Sequence, residues 1–213
     1  MRLYKSETIG WHLQLVRSFF PSWDDQYAKQ LLDRFGLIAD QRVQGLSHGQ
    51  RVKTLLLLIL ARHPRLLILD EPTNGLDPVA KQEILSELMK IVNDETRTIL
   101  YSSHNTQDVE QISDTITFID RGRVIASSNR DEFLNRWRRF KIHAATDWQP
   151  PAIQGLHLES TFGRLRVFTL DRYEADVELQ LQSSGATLEA SEALTLEEIF
   201  VAAVSRGRKD KVR

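Results

Sequence analysis

The chain has 213 residues, 41 % of them hydrophobic and 8 % aromatic, with a formal net charge of −1 and no cysteine. That length allows one domain and a smaller appendage around a real core. The near-neutral charge gives no field to draw the chain to nucleic acid or an anionic membrane, and the lack of cysteine excludes disulfides and thiolate metal sites. The longest apolar run, Leu55 to Ala61, is far short of the roughly 20 residues a membrane span needs. The opening MRLYKSETIG lacks the apolar centre of a signal peptide, so a soluble intracellular chain is expected.

Thr8 to Phe20 places Ile9, Leu13, Val16 and Phe20 on one helical stripe, closed by Pro21. Ser22 is expected to cap a second helix with Trp23, Tyr27, Leu31 and Phe35 on one face and Gly36 as its stop. After Leu46-Ser47-His48-Gly49-Gln50, a helix carries Val52, Leu55, Leu56, Ile59 and Leu60 as far as Pro64. Arg65–Leu69 reads as a strand. Its run of four apolar residues predicts burial on both faces of a parallel sheet. Asp77 and Pro78 make an N-cap and first-turn pair for a helix from Val79 to Val92.

Thr98–Tyr101 is the next strand, followed by a short helix from Thr106 to Ile112. Ile116–Ile119 and Val124–Ala126 flank Asp120-Arg121-Gly122-Arg123 and predict a hairpin. Arg130 to Phe140 is expected to be helical, its arginines forming a solvated face. Trp148-Gln149-Pro150-Pro151 reads as a linker. Beyond it, strands at Leu156–Glu159, Arg164–Leu170 and Thr187–Ala190 alternate with helices near Tyr173–Leu181 and Leu196–Ala203, a ferredoxin-like pattern. The 206–213 tail is expected to fray.

Two strings carry the chemistry. In Leu46-Ser47-His48-Gly49-Gln50, Ser47 and Gln50 have capping-box spacing, and Gly49 bares the backbone of a helix N-terminus, which suits an anion such as phosphate. In Leu66-Leu67-Ile68-Leu69-Asp70-Glu71-Pro72, two carboxylates leave the end of a strand, where open α/β sheets bind ligands. One carboxylate can hold the water shell of Mg²⁺ while the other orients or deprotonates a water.

In order along the chain, LSHGQ, LLILDEP, GLDP and His104 resemble the signature loop, Walker B strand, D-loop and switch histidine of the ATP-binding-cassette (ABC) ATPases. The resemblance implies an α/β fold: the C-terminal portion of a P-loop NTPase (RecA-like) domain with its helical subdomain, over 1–140, and a small α+β appendage over 141–213. It implies ATP and Mg²⁺ as cofactors. Asp70 is the Mg²⁺ residue, Glu71 the general base and His104 the γ-phosphate contact. Ser47, His48, Gly49 and Gln50 meet the nucleotide of a second ABC ATPase subunit, in a homo- or heterodimer, and Asp77 couples the two sites. VRSFFPSWDD and LTLEEIFVAAV are similar to exporter subunits. That similarity implies a transmembrane permease partner, no nucleic acid, and a cytoplasmic location on the inner membrane face.

One element of that family is not present. No Gly-x-x-x-x-Gly-Lys-Ser/Thr string, whose amides and lysine cradle phosphates, occurs in the sequence. The resemblance begins near Leu3, so Met1 falls inside the domain of a full-length relative. A truncated gene or a misassigned start is the expected explanation, and a short subunit acting in trans the alternative. Either leaves the Thr98–Tyr101 and Ile116–Ile119 strands as sheet edges. His48, where the family usually has glycine, is expected to crowd or hydrogen-bond the phosphate.

Overall fold

The computed structural model describes residues 2–209, which divide into two compact units at Asp108/Val109. Of the 206–213 run expected to fray, 206–209 are helical and 210–213 lie outside the described residues.

In the first unit, α1 (Ile9–Phe19) is capped by the Thr8 hydroxyl. α2 (Asp25–Arg34) is capped by Asp24 rather than Ser22, its carboxylate accepting from the Tyr27 N–H at 2.8 Å. Ser22 instead turns its hydroxyl to the Arg62 carbonyl. Gly36 stops α2 as expected. Its φ of +60° is open to glycine, and the Leu37 N–H to Leu32 carbonyl bond completes a Schellman motif. Both helices pack on α3 (His48–Leu60), whose Leu57, Leu58 and Leu60 are fully buried. β1 (Leu66–Asp70) pairs in parallel with β2 (Thr98–Ser102), and α4 (Pro78–Val92) crosses between them.

The four apolar residues of β1 are not covered on both faces. Leu67 and Leu69 are buried, but Leu66 is 56 % and Ile68 65 % exposed, and Leu100 beside them on β2 is 60 % exposed. A continuous apolar run signals two-sided burial only where layers cover both faces. Among the described residues β1 pairs with β2 alone, and β3 lies in a separate sheet.

α5 (Thr106–Ile112) leads into the second unit. β3 (Thr115–Asp120) and β4 (Arg123–Asn129) form the expected hairpin, with Arg121 and Gly122 at φ +50° and +72° in its two-residue turn. α6 spans only Arg130–Arg136, capped by Asn129, and Arg138–His143 is a strand, β5. Phe140 and Ile142 alternate inward with a period of two, and β5 is paired on both sides by β7 (Leu165–Leu170) and β8 (Thr187–Ala193). The expected helix is therefore cut short by tertiary pairing. Its arginines are engaged as well: Arg139 binds Glu159 at 3.0 Å and also Glu198, while Arg138 lies over the Tyr173 ring.

β6 (Leu156–Phe162) completes an antiparallel sheet in the order β6-β7-β5-β8. With α7 (Val177–Ser183) and α8 (Leu196–Lys209), this follows the ferredoxin-like β-α-β-β-α-β pattern except for its first helix. The irregular stretch 144–155 replaces that helix. Trp148, expected in a linker, is buried there against Phe168, and its indole N–H donates to the Ser184 carbonyl at 3.0 Å. Gly155 closes the stretch at φ +84°, where a Cβ would stand 2.0 Å from Asp171 Oδ1. Gly155→Ala is therefore expected to cost about 2 kcal/mol or more. The side chain forces a left-handed residue and pushes Asp171 from its ion pair with Arg206. A urea unfolding midpoint equal to wild type would refute that expectation.

Candidate functional site

The helix start at Ser47 forms both halves of its capping box. The Gln50 N–H donates to Ser47 Oγ at 3.2 Å, and the Ser47 N–H donates to Gln50 Oε1 at 2.9 Å. His48 does not stand free. Its Nε2 lies 3.1 Å from the Asn74 carbonyl, so that nitrogen carries the proton and donates. Gly49 abuts the start of α4, where a Cβ would sit 3.4 Å from that of Ala80. The LSHGQ loop is thus packed against the loop behind Glu71 and against the helix that Asp77 caps. Asp77 accepts from the Val79 and Ala80 amides at 3.0 and 2.9 Å. The Ala80 amide is the chief reason its carboxyl is held below the usual range.

At the tip of β1 the chain turns sharply. Glu71 has φ +48°, a conformation seldom adopted by residues other than glycine, asparagine or aspartate, and its N–H donates to the Ser102 carbonyl at 2.9 Å. The turn aims the carboxylate at the loop after β2. Glu71 Oε1 accepts from the His104 backbone N–H at 2.9 Å and lies 2.8 Å from His104 Nδ1. The carboxylate fixes the proton on Nδ1 and leaves Nε2 as the remaining nitrogen of a ring whose side chain is 72 % exposed. Asp70, one residue earlier, accepts from the Ser102 hydroxyl.

His48, Asp70 and Glu71 share a cleft of about 530 Å³ whose apolar wall includes Val52, Leu55, Ile59 and Leu69. Ser47, Gln50, Asp77 and His104 do not line it. Among the described residues no three His, Asp or Glu side chains converge to cage a metal. Asp70 fits a hard cation held through its water shell, the usual manner for Mg²⁺.

The sequence reading missed the polar network behind this site. Asp108 is 2 % exposed. It accepts from the Thr73 hydroxyl at 2.8 Å and pairs with Lys81 Nζ at 2.6 Å. Tyr101 donates in turn to Thr73 at 3.0 Å, its phenol pushed up by burial and so kept protonated. An acid four residues after a histidine, on a short helix, carries no local signal of burial.

Residues 12–107 match the family model described as "AAA domain, putative AbiEii toxin, Type IV TA system". The chain is 27 % identical over 144 residues to the ABC transporter ATP-binding protein YtrB of Bacillus subtilis, covering 68 % of this chain and 49 % of that protein. It is 40 % identical over 113 residues to the lantibiotic transport ATP-binding protein SrtF of Streptococcus pyogenes, covering 49 % of each. A solved structure of an ATP-binding subunit of an ABC transporter superposes with a TM-score of 0.54 at 27 % identity, covering 63 % of this chain and 57 % of that one. Over the stretch that carries the four motifs, the chain is thus similar to ATP-binding proteins of ABC transporters.

The P-loop NTPase fold follows from the same superposition. The chain spans about half the length of these two curated relatives. Both relatives are ATP-binding proteins by description. The relatives also include the thiamine import ATP-binding protein ThiQ of Rhizobium meliloti, 37 % identical over 91 residues, covering 43 % of this chain and 38 % of that protein. The similarity therefore leaves the direction of transport open.

Proposed function

We propose that this chain supplies the signature, Walker B, D-loop and switch-histidine part of an ABC transporter ATPase of exporter type. It would act with a second ABC ATPase subunit and a transmembrane permease at the cytoplasmic face of the membrane. The contact between Glu71 and His104, beside Asp70 at one strand tip, supports this best. A general base must be held within hydrogen-bond reach of its water, and the contact with the imidazole would aim the Glu71 carboxylate. Bound Mg²⁺ neutralises charge on the β- and γ-phosphates. Asp70 would hold its water shell, Glu71 would take the proton of the attacking water, and His104 Nε2 would face the γ-phosphate. Ser47, Gly49 and Gln50 would present the α3 N-terminus to the partner's nucleotide. His48, tied to Asn74, would link that loop to Glu71, and Asp77 would relay across the dimer. The export direction rests on VRSFFPSWDD and LTLEEIFVAAV.

One observation favours a second reading. These 213 residues contain no phosphate-cradling Gly-x-x-x-x-Gly-Lys-Ser/Thr string, so that cradle must come from other residues. The chain could then be a non-catalytic subunit that lends its signature loop to, or regulates, a complete ABC ATPase.

The test measures Mg·ATP hydrolysis by the purified chain, alone and with a P-loop-bearing ABC ATPase subunit. Alone, wild type should be no faster than Glu71→Gln. In the mixture, the first reading expects Glu71→Gln to lower the rate about 100-fold or more. The second expects a change in the partner's rate that survives Glu71→Gln and is lost in Ser47→Arg. No effect of the chain at all overturns both.

A further inference from the structure

We propose that Asp108 is a positioning residue that sets the geometry of the Glu71–His104 pair from beneath. The proposal rests on the reading of those two residues as the reacting groups.

The pair itself is poorly placed to hold its own shape. His104 has 72 % and Glu71 33 % of its side chain exposed, and even a fully charged contact so exposed contributes only about 0–1 kcal/mol. Glu71 also sits at positive φ, which needs surrounding contacts to persist. Asp108 supplies them from both sides of the pair. On the Glu71 side, its carboxylate accepts from Thr73, in the turn where the Asn74 N–H donates back to the Glu71 carbonyl at 3.2 Å. On the His104 side, its backbone N–H donates to Asn105 Oδ1 at 3.2 Å, and the Asn105 N–H donates to Ser103 Oγ at 3.0 Å. Ser103 and His104 are the residues that face Glu71.

The third connection reaches α4. Lys81 stands one turn past the cap residue Asp77, and its ammonium completes the buried carboxylate's shell at 2.6 Å. Asp108 therefore joins the turn after Glu71, the loop bearing His104 and the first turns of the Asp77-capped helix into one body. A carboxylate with a charged donor and a hydroxyl donor in a dry site makes stronger, better-directed bonds than a hydrated one. A shift of α4 would thus be felt at Glu71 and His104 without touching either.

The test reads the imidazole nitrogens of His104 by ¹⁵N NMR on the full chain, at a pH where the ring is neutral. His104→Gln identifies the signals. Wild type should show the proton on Nδ1, and Glu71→Ala, which removes the acceptor, should shift the proton to a mixture of both nitrogens. Asp108→Asn and Thr73→Val should move the signature toward that mixture while circular dichroism stays folded. Thr73→Val changes only the hydroxyl and decides the matter if Asp108→Asn fails to fold. A wild-type signature in the folded Asp108 and Thr73 variants overturns the proposal and leaves Asp108 a structural residue. A Glu71→Ala spectrum identical to wild type overturns it too, since the pair would not exist in solution. Neither outcome involves nucleotide, so failure of the ATPase reading is detected separately.

Discussion

Phe140→Ala is expected to destabilise the C-terminal unit by about 3–5 kcal/mol, the cost of emptying a large ring site in a packed core. Phe140 is fully buried at the centre of β5, opposite Phe168 on β7 and Ser191 on β8, with Tyr173 against its ring. Strands on both sides limit how far the site can collapse, which places the loss toward the upper end. A thermal midpoint lowered by about 12 °C or more, followed by near-ultraviolet dichroism, is the expected readout. Lys141→Ala supplies the control. That side chain is the next on the strand, points to the other face and pairs with Glu192 at the surface, so its loss should cost about 1 kcal/mol or less. Equal effects of the two substitutions would mean that 138–143 is not a core strand.

The second large effect concerns Glu87 on α4. Only 1 % exposed, it accepts from the Tyr27 hydroxyl at 2.8 Å and Lys90 at 2.9 Å and pairs with Arg34, tying α2 to α4. Burial raises its carboxyl, but the donors of Lys90, Tyr27 and Arg34 outweigh that and hold it below the usual range. The same contact raises the Tyr27 phenol after burial has done so. A carboxyl held low in the fold stabilises the folded state above its unfolded value, and that contribution fades as pH falls through the folded value. Glu87→Ala should therefore cost about 2–3 kcal/mol at pH 7, less than a fully buried pair because Arg34 and Lys90 can reach water. The difference from wild type should narrow on acidification below the ordinary glutamate range. A difference that is constant from pH 7 to pH 3 would show that the loss is packing alone.

The legible parts of this chain are those governed by residues close in sequence. The Ser47–Gln50 capping box, the Asp77-Pro78 start, the Gly36 stop and the Arg121-Gly122 turn each satisfy backbone groups within a few positions, and each appears as read. The ferredoxin-like alternation was readable for the same reason, except at β5. There the Arg136-to-Arg139 cluster suggested a helical face, and only pairing with β7 and β8, distant in sequence, made it a strand. Trp148 beside two prolines carried a linker signal because composition does not reveal which side chains a loop buries.

By itself, then, the sequence determined the order of the four motifs and the local caps and turns at Ser47, Asp77, Gly36 and Arg121-Gly122. The tertiary structure alone decided that Glu71, 33 residues before His104, meets it at 2.8 Å, and that His48 turns to Asn74. It alone decided that Asp108 is buried beneath them and that one face of β1 is uncovered. Contacts across tens of residues form only when the chain closes the intervening loops, and nothing in the local pattern of apolar and charged residues encodes which side chains those closures bring together.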